Sequence, residues 1–178
     1  MKHYKLFGPP DGMKDYLPDE KRQMEASEQI LERMFTEAGF EPVKTPELEY
    51  YDLYQAGGGL VAEEDLIKTT DSNGRLLTLR YDGTVPVARL AGQTGRGRQG
   101  PLRFSYIDSM YRFREQGGGR LRGFRQAGIE LLGVSQAAGD AEVIALAIAA
   151  ARALGLGDLQ VSIGQAGFYR SLTADWAL

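Results

Sequence analysis

The chain has 178 residues, enough for one domain with a hydrophobic core, and its 43% hydrophobic and 25% charged content is typical of soluble globular proteins. It has no cysteines, which excludes a disulfide framework and a thiolate metal site. The net charge of −3 argues against bulk attraction to nucleic acid, and no apolar run approaches the roughly 20 residues that span a bilayer. The start of the chain lacks the apolar stretch of a secretory signal, so a cytoplasmic location is expected.

The first half of the chain is predicted to contain one long helix and several short extended segments. Apolar residues recur at helical spacing after Asp19, the expected cap, and Gly39 ends this pattern. Two short stretches that flank the turn sequence DSNG indicate a β-hairpin. In chain order, the predicted elements are a loop over 8–18, a helix over 19–38, an extended segment over 40–50, a glycine-rich loop over 55–65 and a hairpin over 66–80.

The second half is predicted to be built around a long antiparallel hairpin, whose strands are residues 102–114 and 120–133. Thr84 is expected to cap a helix that precedes this hairpin. Because hairpins connect most strands, we expect one α+β domain over 1–178, with a mainly antiparallel sheet flanked by helices. The other predicted elements are helices over 85–91 and 139–154, a strand over 159–164 and a helix from 168 onward.

The stretch YRFREQGGGRLRGFRQAGIELLG, residues 111–133, holds most of the candidate ligand-binding side chains. Because side chains alternate along a strand, Arg112 shares a face with Arg114, and Gln126 shares a face with Glu130. Arginine suits phosphate or carboxylate oxygens, and a carboxylate on a sheet suits an ammonium group. Such a surface is suited to an amino acid or a nucleotide. The alternative is a solvated hairpin linked by salt bridges.

Four segments of the chain resemble class II histidyl-tRNA synthetases, and together they extend over nearly all of it. The resemblance implies the catalytic-core fold of that class, truncated before its motif 3 half. The segments are motif 2 in YRFREQGGGRLRGFRQAGIELLG, the pocket segment LRYDGTVPVAR at 79–89, motif 1 in GFEPVKTPELEY at 39–50, and GMKDYLP at 12–18.

The resemblance implies roles for individual residues. Arg112 corresponds to the motif 2 arginine that contacts the ATP α-phosphate, and Arg120 is a second candidate for anion binding. Asp82 corresponds to an acidic residue that binds the histidine α-amino group, although an aspartate here is also typical of a turn or a helix cap. Pro46 is the motif 1 proline and implies a dimer interface. The expected histidine-binding residues are Asp82, Thr84, Gln126 and Glu130.

Several details are more similar to the regulatory subunits of ATP phosphoribosyltransferase, a family built on the same core. The order Arg114-Glu115 reverses the Glu-then-Arg order that synthetases usually have at the ATP site. The segment DGTVPVAR has an aspartate and a proline where a synthetase more often has glutamate and no proline. Two positions depart from this pattern. Tyr81 stands where both families usually have proline, and Gly83 is more typical of a synthetase.

The regulatory resemblance implies a non-catalytic protein with no catalytic residues, no cofactor and no metal site. Such subunits join a short-form ATP phosphoribosyltransferase catalytic subunit in a hetero-oligomer, activate the first step of histidine biosynthesis and sense histidine. A homodimer is expected within that assembly, and neither a membrane nor a nucleic acid is an expected partner. One alternative is an N-terminal catalytic-core fragment of a histidyl-tRNA synthetase, which activates histidine with ATP. The other is a stand-alone dimerising ligand-binding module.

Both families continue well beyond the length of this chain. Their later sequence supplies a further histidine-contacting segment and the motif 3 arginine, and neither is found before Leu178. We therefore expect that this chain does not activate histidine. His3, the only histidine, lies near the terminus, so histidine-based general-base chemistry is not expected in the core.

Overall fold

The computed structural model describes residues 8–56, 61–95, 97, 100–113, 121–165, 167 and 171. In this part of the chain, pairs of strands alternate with single helices, and a single 3-10 turn lies at Glu63–Asp65. The elements are α1 (Pro18–Glu37), β1 (Glu41–Pro42), β2 (Leu48–Tyr50), α2 (Tyr51–Ala56), β3 (Lys68–Thr70), β4 (Leu76–Leu79), α3 (Thr84–Thr94), β5 (Leu102–Tyr111), β6 (Gly123–Leu132) and α4 (Ala137–Ala153).

The described strands form two three-stranded sheets, in the orders β1-β5-β6 and β2-β4-β3. β5 and β6 pair antiparallel along their full length, from Leu102 opposite Leu132 to Tyr111 opposite Gly123. β1 joins the outer edge of β5 in parallel, while both pairs of the second sheet are antiparallel. The predicted α+β class with a mainly antiparallel sheet is therefore confirmed.

Helices cover both faces of the β5–β6 hairpin, because side chains alternate between the two faces of each strand. On one face, Tyr106 and Met110 pack against Val87 of α3. On the opposite face, Phe35 of α1 and Ala150 of α4 pack against apolar side chains of β6. α3 is therefore held over the face that carries the candidate histidine-binding residues of β6.

Arg80, directly after β4, connects three parts of the fold from a position that is only 1% exposed. Its Nε donates to the carbonyl oxygen of Ser109 at 2.7 Å, and its Nη1 donates to the carbonyl oxygen of Thr45 at 2.8 Å. Nη1 also lies 3.1 Å from Oδ2 of Asp108, which forms a buried ion pair with it. The second sheet, the segment between β1 and β2, and β5 thus share one guanidinium group.

The main chain at Arg80 and an ion pair from α3 strengthen this connection. The amide of Arg80 donates to the carbonyl oxygen of Glu47, and its carbonyl accepts from the amide of Tyr111, each at 2.9 Å. Arg89 of α3 donates to both carboxylate oxygens of Glu49, from Nε at 3.0 Å and from Nη2 at 2.6 Å. The segment from β4 to α3 is therefore held by Arg80 at its start and by the Arg89–Glu49 ion pair on the helix side.

The predicted long helices and both predicted hairpins are confirmed, with differences at their ends. α1 begins at Pro18 rather than after a cap at Asp19. The Glu20 carboxylate accepts the amide hydrogen bond of Leu17 at 3.4 Å, so the capping side chain lies inside the helix. The predicted loop at 55–65 includes the end of α2 and a 3-10 turn, although residues 57–60 lie outside the described part.

The predicted strand over 159–164 is wrong, since residues 159–165 have no helix or strand assignment. No strand in the described part of the chain pairs with this segment. Its apolar side chains Val161 and Ile163 are 49% and 73% exposed, so no burial of these side chains favours a strand at this position. The helix predicted from 168 onward lies almost wholly outside the described residues. Among the helices that are described, none combines the length and apolar character that a membrane span needs.

Replacing Arg80 with Met is expected to destabilise the chain by about 3–5 kcal/mol, because Asp108 would remain buried without its cation. Urea unfolding monitored by circular dichroism measures this loss. Arg22→Met is the matched control, since the Arg22 side chain is 68% exposed at the surface of α1. The control is expected to unfold at nearly the wild-type midpoint. Equal losses in the two variants would contradict a structural role for the buried guanidinium.

Candidate functional site

The start of α3 lies against β6 through a hydrogen bond between two of the candidate histidine-binding residues. The Thr84 hydroxyl donates to Oε1 of Glu130 at 2.8 Å. The sequence predicted that Thr84 caps α3, but its hydroxyl is bonded to Glu130 instead. The N-cap residue of α3 is Gly83, and Oδ1 of Asp82, one residue earlier, accepts from the amide of Val85 at 3.2 Å. Asp82 therefore bonds to the first turn of the helix, and its ligand-binding role stays a prediction.

Tyr106 of β5 lies beneath Thr84, Gln126 and Glu130 and is the buried member of this cluster. Its ring is 5% exposed, and its hydroxyl accepts a hydrogen bond from Nε2 of Gln126 at 3.0 Å. The same hydroxyl lies close enough to Thr84, Glu130 and Asp82 for all three to affect its pKa. The fold therefore brings together all four predicted histidine-binding residues around one buried phenol.

Two glycines make room for the Tyr106 ring. A Cβ atom built on Gly83 would lie 2.1 Å from Cζ of Tyr106, and one built on Gly128 would lie 2.4 Å from the same atom. Non-bonded carbon atoms do not approach this closely, so neither position accepts a side chain while Tyr106 stays in place. Gly83, which departs from the regulatory pattern, thus has a local steric reason.

The cluster has an acidic character that favours a cationic ligand. Burial raises the pKa of Glu130, the nearby charge of Asp82 raises it further, and the hydrogen bond from Thr84 opposes both. Burial also raises the pKa of Tyr106, and the charge of Glu130 acts in the same direction. A ligand ammonium group placed between the two carboxylates would relieve their repulsion. Within the described residues, no group of three or more His, Asp or Glu side chains is arranged to hold a metal ion.

The candidate phosphate-binding arginine Arg112 lies beside the segment that connects β4 to α3. Its Nε donates to the carbonyl oxygen of Tyr81 at 3.2 Å, and its guanidinium lies 4.4 Å from the Tyr81 ring centre and 5.0 Å from that of Phe124. The Tyr81 amide in turn donates to the Tyr54 hydroxyl at 3.0 Å. Tyr81, a departure from both families, therefore supports Arg112. Its partner candidate Arg120 lies outside the described residues.

The other predicted site residues either lie away from this cluster or fall outside the described residues. Pro46 is exposed between β1 and β2, one residue after the Thr45 carbonyl that accepts from Arg80. Its role at a dimer interface stays a prediction. Arg114 and Glu115, whose order suggested an altered ATP site, also lie outside the described residues.

Sequence reasoning missed Tyr106 and Arg80. A signal for Tyr106 was present, because an aromatic residue on a strand needs small neighbours when it packs flat, and Gly128 lies directly opposite it. Nothing in the sequence near Arg80 marked it as buried, since its partners Thr45 and Asp108 are distant in the chain.

The fold and the cluster at the start of α3 define a class II synthetase-like core. The family model for histidyl-tRNA synthetase matches residues 12–178, and the chain belongs to that family. It spans less than half the length of the relatives that it matches.

Three relatives illustrate the range of similarity. A protein of Ruminiclostridium cellulolyticum named ATP phosphoribosyltransferase regulatory subunit is 38% identical, over 98% of this chain and 42% of its own length. A Bacillus halodurans C structure, described as an ATP phosphoribosyltransferase regulatory subunit/histidyl-tRNA synthetase, has a TM-score of 0.87 and 35% identity, covering 96% of this chain and 44% of that one. Apo histidyl-tRNA synthetase of S. aureus has a TM-score of 0.71 and 26% identity, covering 85% of this chain and 35% of its own.

Replacing Glu130 with Gln is expected to stabilise the unliganded chain at neutral pH. Because the folded-state pKa of Glu130 is raised, its ionisation costs stability once the pH exceeds the ordinary glutamate range. That cost is absent below the unfolded pKa, where the carboxyl is protonated in both states. The gain of the variant over wild type should therefore grow as the pH rises, and it should vanish in acid.

Urea unfolding of both proteins across the acid-to-neutral range measures this difference. Glu64→Gln, at an exposed position of the 3-10 turn, is the control for loss of one carboxylate. A Glu130 variant that loses stability at neutral pH relative to acid would show that the carboxylate is favourably paired in the unliganded site.

Proposed function

We propose that this chain provides the histidine-binding core of a non-catalytic regulatory subunit of ATP phosphoribosyltransferase. The observation that carries the proposal is the acidic cluster at the start of α3, in which Thr84 donates to Glu130 and Gln126 is held by Tyr106. The assembly partner is inferred from similarity, since the Ruminiclostridium cellulolyticum protein that is 38% identical over 98% of this chain has the regulatory-subunit name.

The cluster suits histidine because its acceptors match the donors of that amino acid. The α-ammonium group is a cation that suits Asp82 and Glu130. Burial raises the pKa of Glu130, and the charge of Asp82 raises it further. The imidazole N–H is a neutral donor that suits a carboxamide oxygen or a carboxylate. The site thus offers acceptors for both ends of histidine, whereas an acidic ligand would meet repulsion.

Histidine binding at this place can be transmitted to the rest of the fold through α3. The Thr84–Glu130 hydrogen bond is a direct polar link between the first turn of α3 and β6. A ligand that competes for the Glu130 carboxylate changes this link, and α3 is connected to the second sheet by the Arg89–Glu49 ion pair. Feedback inhibition then requires only that histidine bind two conformations of the assembly with different affinities.

In this proposal, the chain joins a short-form catalytic subunit within a hetero-oligomer. The assembly condenses ATP with phosphoribosyl pyrophosphate, the first step of histidine biosynthesis, and the chain enables that reaction without contributing catalytic groups. The exposed segment that contains Pro46 is proposed to face a second copy of the chain. No cofactor is needed for these roles.

The second candidate function is a catalytic-core fragment of a histidyl-tRNA synthetase. Arg112 favours it, because a guanidinium held between Tyr81 and Phe124 beside the amino-acid cluster is well placed for a phosphate group. This candidate requires that the chain, with the remainder of such an enzyme, activates histidine with ATP. Binding of a catalytic phosphoribosyltransferase subunit is expected only for the first candidate.

Asp82→Asn is expected to weaken histidine binding by about 10- to 100-fold, because it removes a charge-assisted hydrogen bond to the ligand ammonium group. The asparagine oxygen still accepts from the Val85 amide, so the start of α3 is preserved. Isothermal titration calorimetry with histidine measures the change. Asp52→Asn, on the exposed side of α2, is the matched control and should bind like wild type. Equal affinity for histidine in the Asp82 variant and wild type would exclude this residue from the ligand contacts.

The chain is expected to co-elute with a short-form ATP phosphoribosyltransferase catalytic subunit in size-exclusion chromatography and to raise its rate of product formation. Histidine titrated into the mixture should lower that rate. ATP–pyrophosphate exchange with histidine should be absent for the chain alone. Failure to co-elute would contradict the regulatory proposal, and histidine-dependent exchange would show that the chain is catalytic.

A further inference from the structure

Tyr106 is the central residue of the cluster and has no role in the proposed histidine contacts. It is 5% exposed, so a ligand bound above the cluster touches it at most through its hydroxyl. Its hydroxyl contacts Gln126 directly, and its pKa responds to Thr84, Glu130 and Asp82. A buried phenol that is bonded to a polar side chain of a site is suited to orienting that side chain rather than binding the ligand itself.

The ring of Tyr106 is fixed in position by its neighbours. Gly83 and Gly128 lie so close on its two sides that even one added carbon atom would overlap the ring, at 2.1 and 2.4 Å. Val87 and Met110 belong to the same buried cluster. The hydroxyl therefore has a fixed location, and the groups that bond to it inherit that location.

The hydroxyl selects one orientation of the Gln126 carboxamide. Nε2 of Gln126 donates to the phenol oxygen at 3.0 Å. Burial raises the pKa of Tyr106 and the negative charge of Glu130 raises it further, so the phenol stays protonated while its oxygen accepts from Gln126. With its nitrogen committed to Tyr106, the carboxamide has its oxygen left for a ligand. The Thr84 hydroxyl hydrogen is likewise committed, to Glu130.

We propose that Tyr106 is a positioning residue that fixes the Gln126 carboxamide with its oxygen toward the ligand, and thereby makes the site select ligands by their N–H donors. The groups left for the ligand are then acceptors: the Gln126 oxygen and the carboxylates of Asp82 and Glu130. This inference rests on the proposed function for the identity of the ligand. The orientation of Gln126 itself does not depend on it.

Tyr106→Phe tests the proposal, because it keeps the ring between the two glycines and removes only the hydroxyl. Tyr111→Phe, at the far end of the same strand, is the matched control. The first readout needs no ligand. Solvent exchange of the Gln126 side-chain amide hydrogens, followed by NMR, should be faster by about 3- to 10-fold in the Tyr106 variant, as for loss of one neutral hydrogen bond. It should be unchanged in the Tyr111 variant, and unchanged exchange in the Tyr106 variant would overturn the proposal.

The second readout is ligand selectivity in calorimetric titrations. The ligands are histidine and three analogues that each lack one donor group: imidazolepropionate, which lacks the α-ammonium group, and the two ring N-methylhistidines, each blocked at one imidazole nitrogen. Wild type should prefer histidine, and the Tyr106 variant should lose about 3- to 10-fold of that preference for at least one analogue, as a freed carboxamide turns its nitrogen toward the ligand. Uniform weakening for all four ligands would reduce Tyr106 to a structural role and overturn the selectivity claim.

The two readouts separate this inference from the proposed function. If wild type binds no histidine, the proposed function fails, and the exchange comparison alone decides whether Tyr106 positions Gln126. If wild type binds histidine but exchange and selectivity are both unaffected by Tyr106→Phe, the proposed function stands and this inference fails.

Discussion

The buried guanidinium of Arg80 is the interaction on which the arrangement of the site depends. It bonds to Thr45, Asp108 and Ser109, which come from segments that are far apart in the sequence. The residues that follow Arg80 lead directly into α3, so the start of that helix is fixed relative to β5 and β6. A buried charge is costly to desolvate, and its value here is that hydrogen bonds in several directions specify one relative placement of two sheets.

In the polar cluster, by contrast, no cation among the described residues is paired with Glu130. Burial and the charge of Asp82 raise the pKa of Glu130, and only the Thr84 hydroxyl opposes them. Arg80 is paired with Asp108 and contributes to the scaffold, whereas Glu130 is held in an environment that disfavours its charge. Such an imbalance is typical of sites that gain a partner when a ligand binds. The chain resembles both proteins named as regulatory subunits and a histidyl-tRNA synthetase, so one fold is shared by proteins with different names.

Local patterns in the sequence predicted most of the fold, because α1, α4 and the two hairpins follow helical spacing, alternation and turn residues. The strand predicted over 159–164 was wrong, since alternation cannot show whether a neighbouring strand is available. Thr84 was predicted to cap α3, and this was wrong because its hydroxyl donates to Glu130 on another element. The amide of Val85 donates to Asp82 instead. Resemblance identified the four polar residues of the cluster, while Arg80 acts through contacts with Thr45 and Asp108 that neither composition nor spacing contains.

The glycines on either side of Tyr106 have a consequence for how this chain can change over evolutionary time. Alanine at Gly92 of α3 would meet open space, whereas one methyl group at Gly83 or Gly128 would occupy the volume of the phenol ring. Drift at these two positions is therefore blocked by packing, whether or not the protein performs chemistry. A side chain at either glycine would therefore require a change at Tyr106 as well, so packing couples these three positions. The surroundings of Thr84, Gln126 and Glu130 would then change through linked substitutions rather than one position at a time.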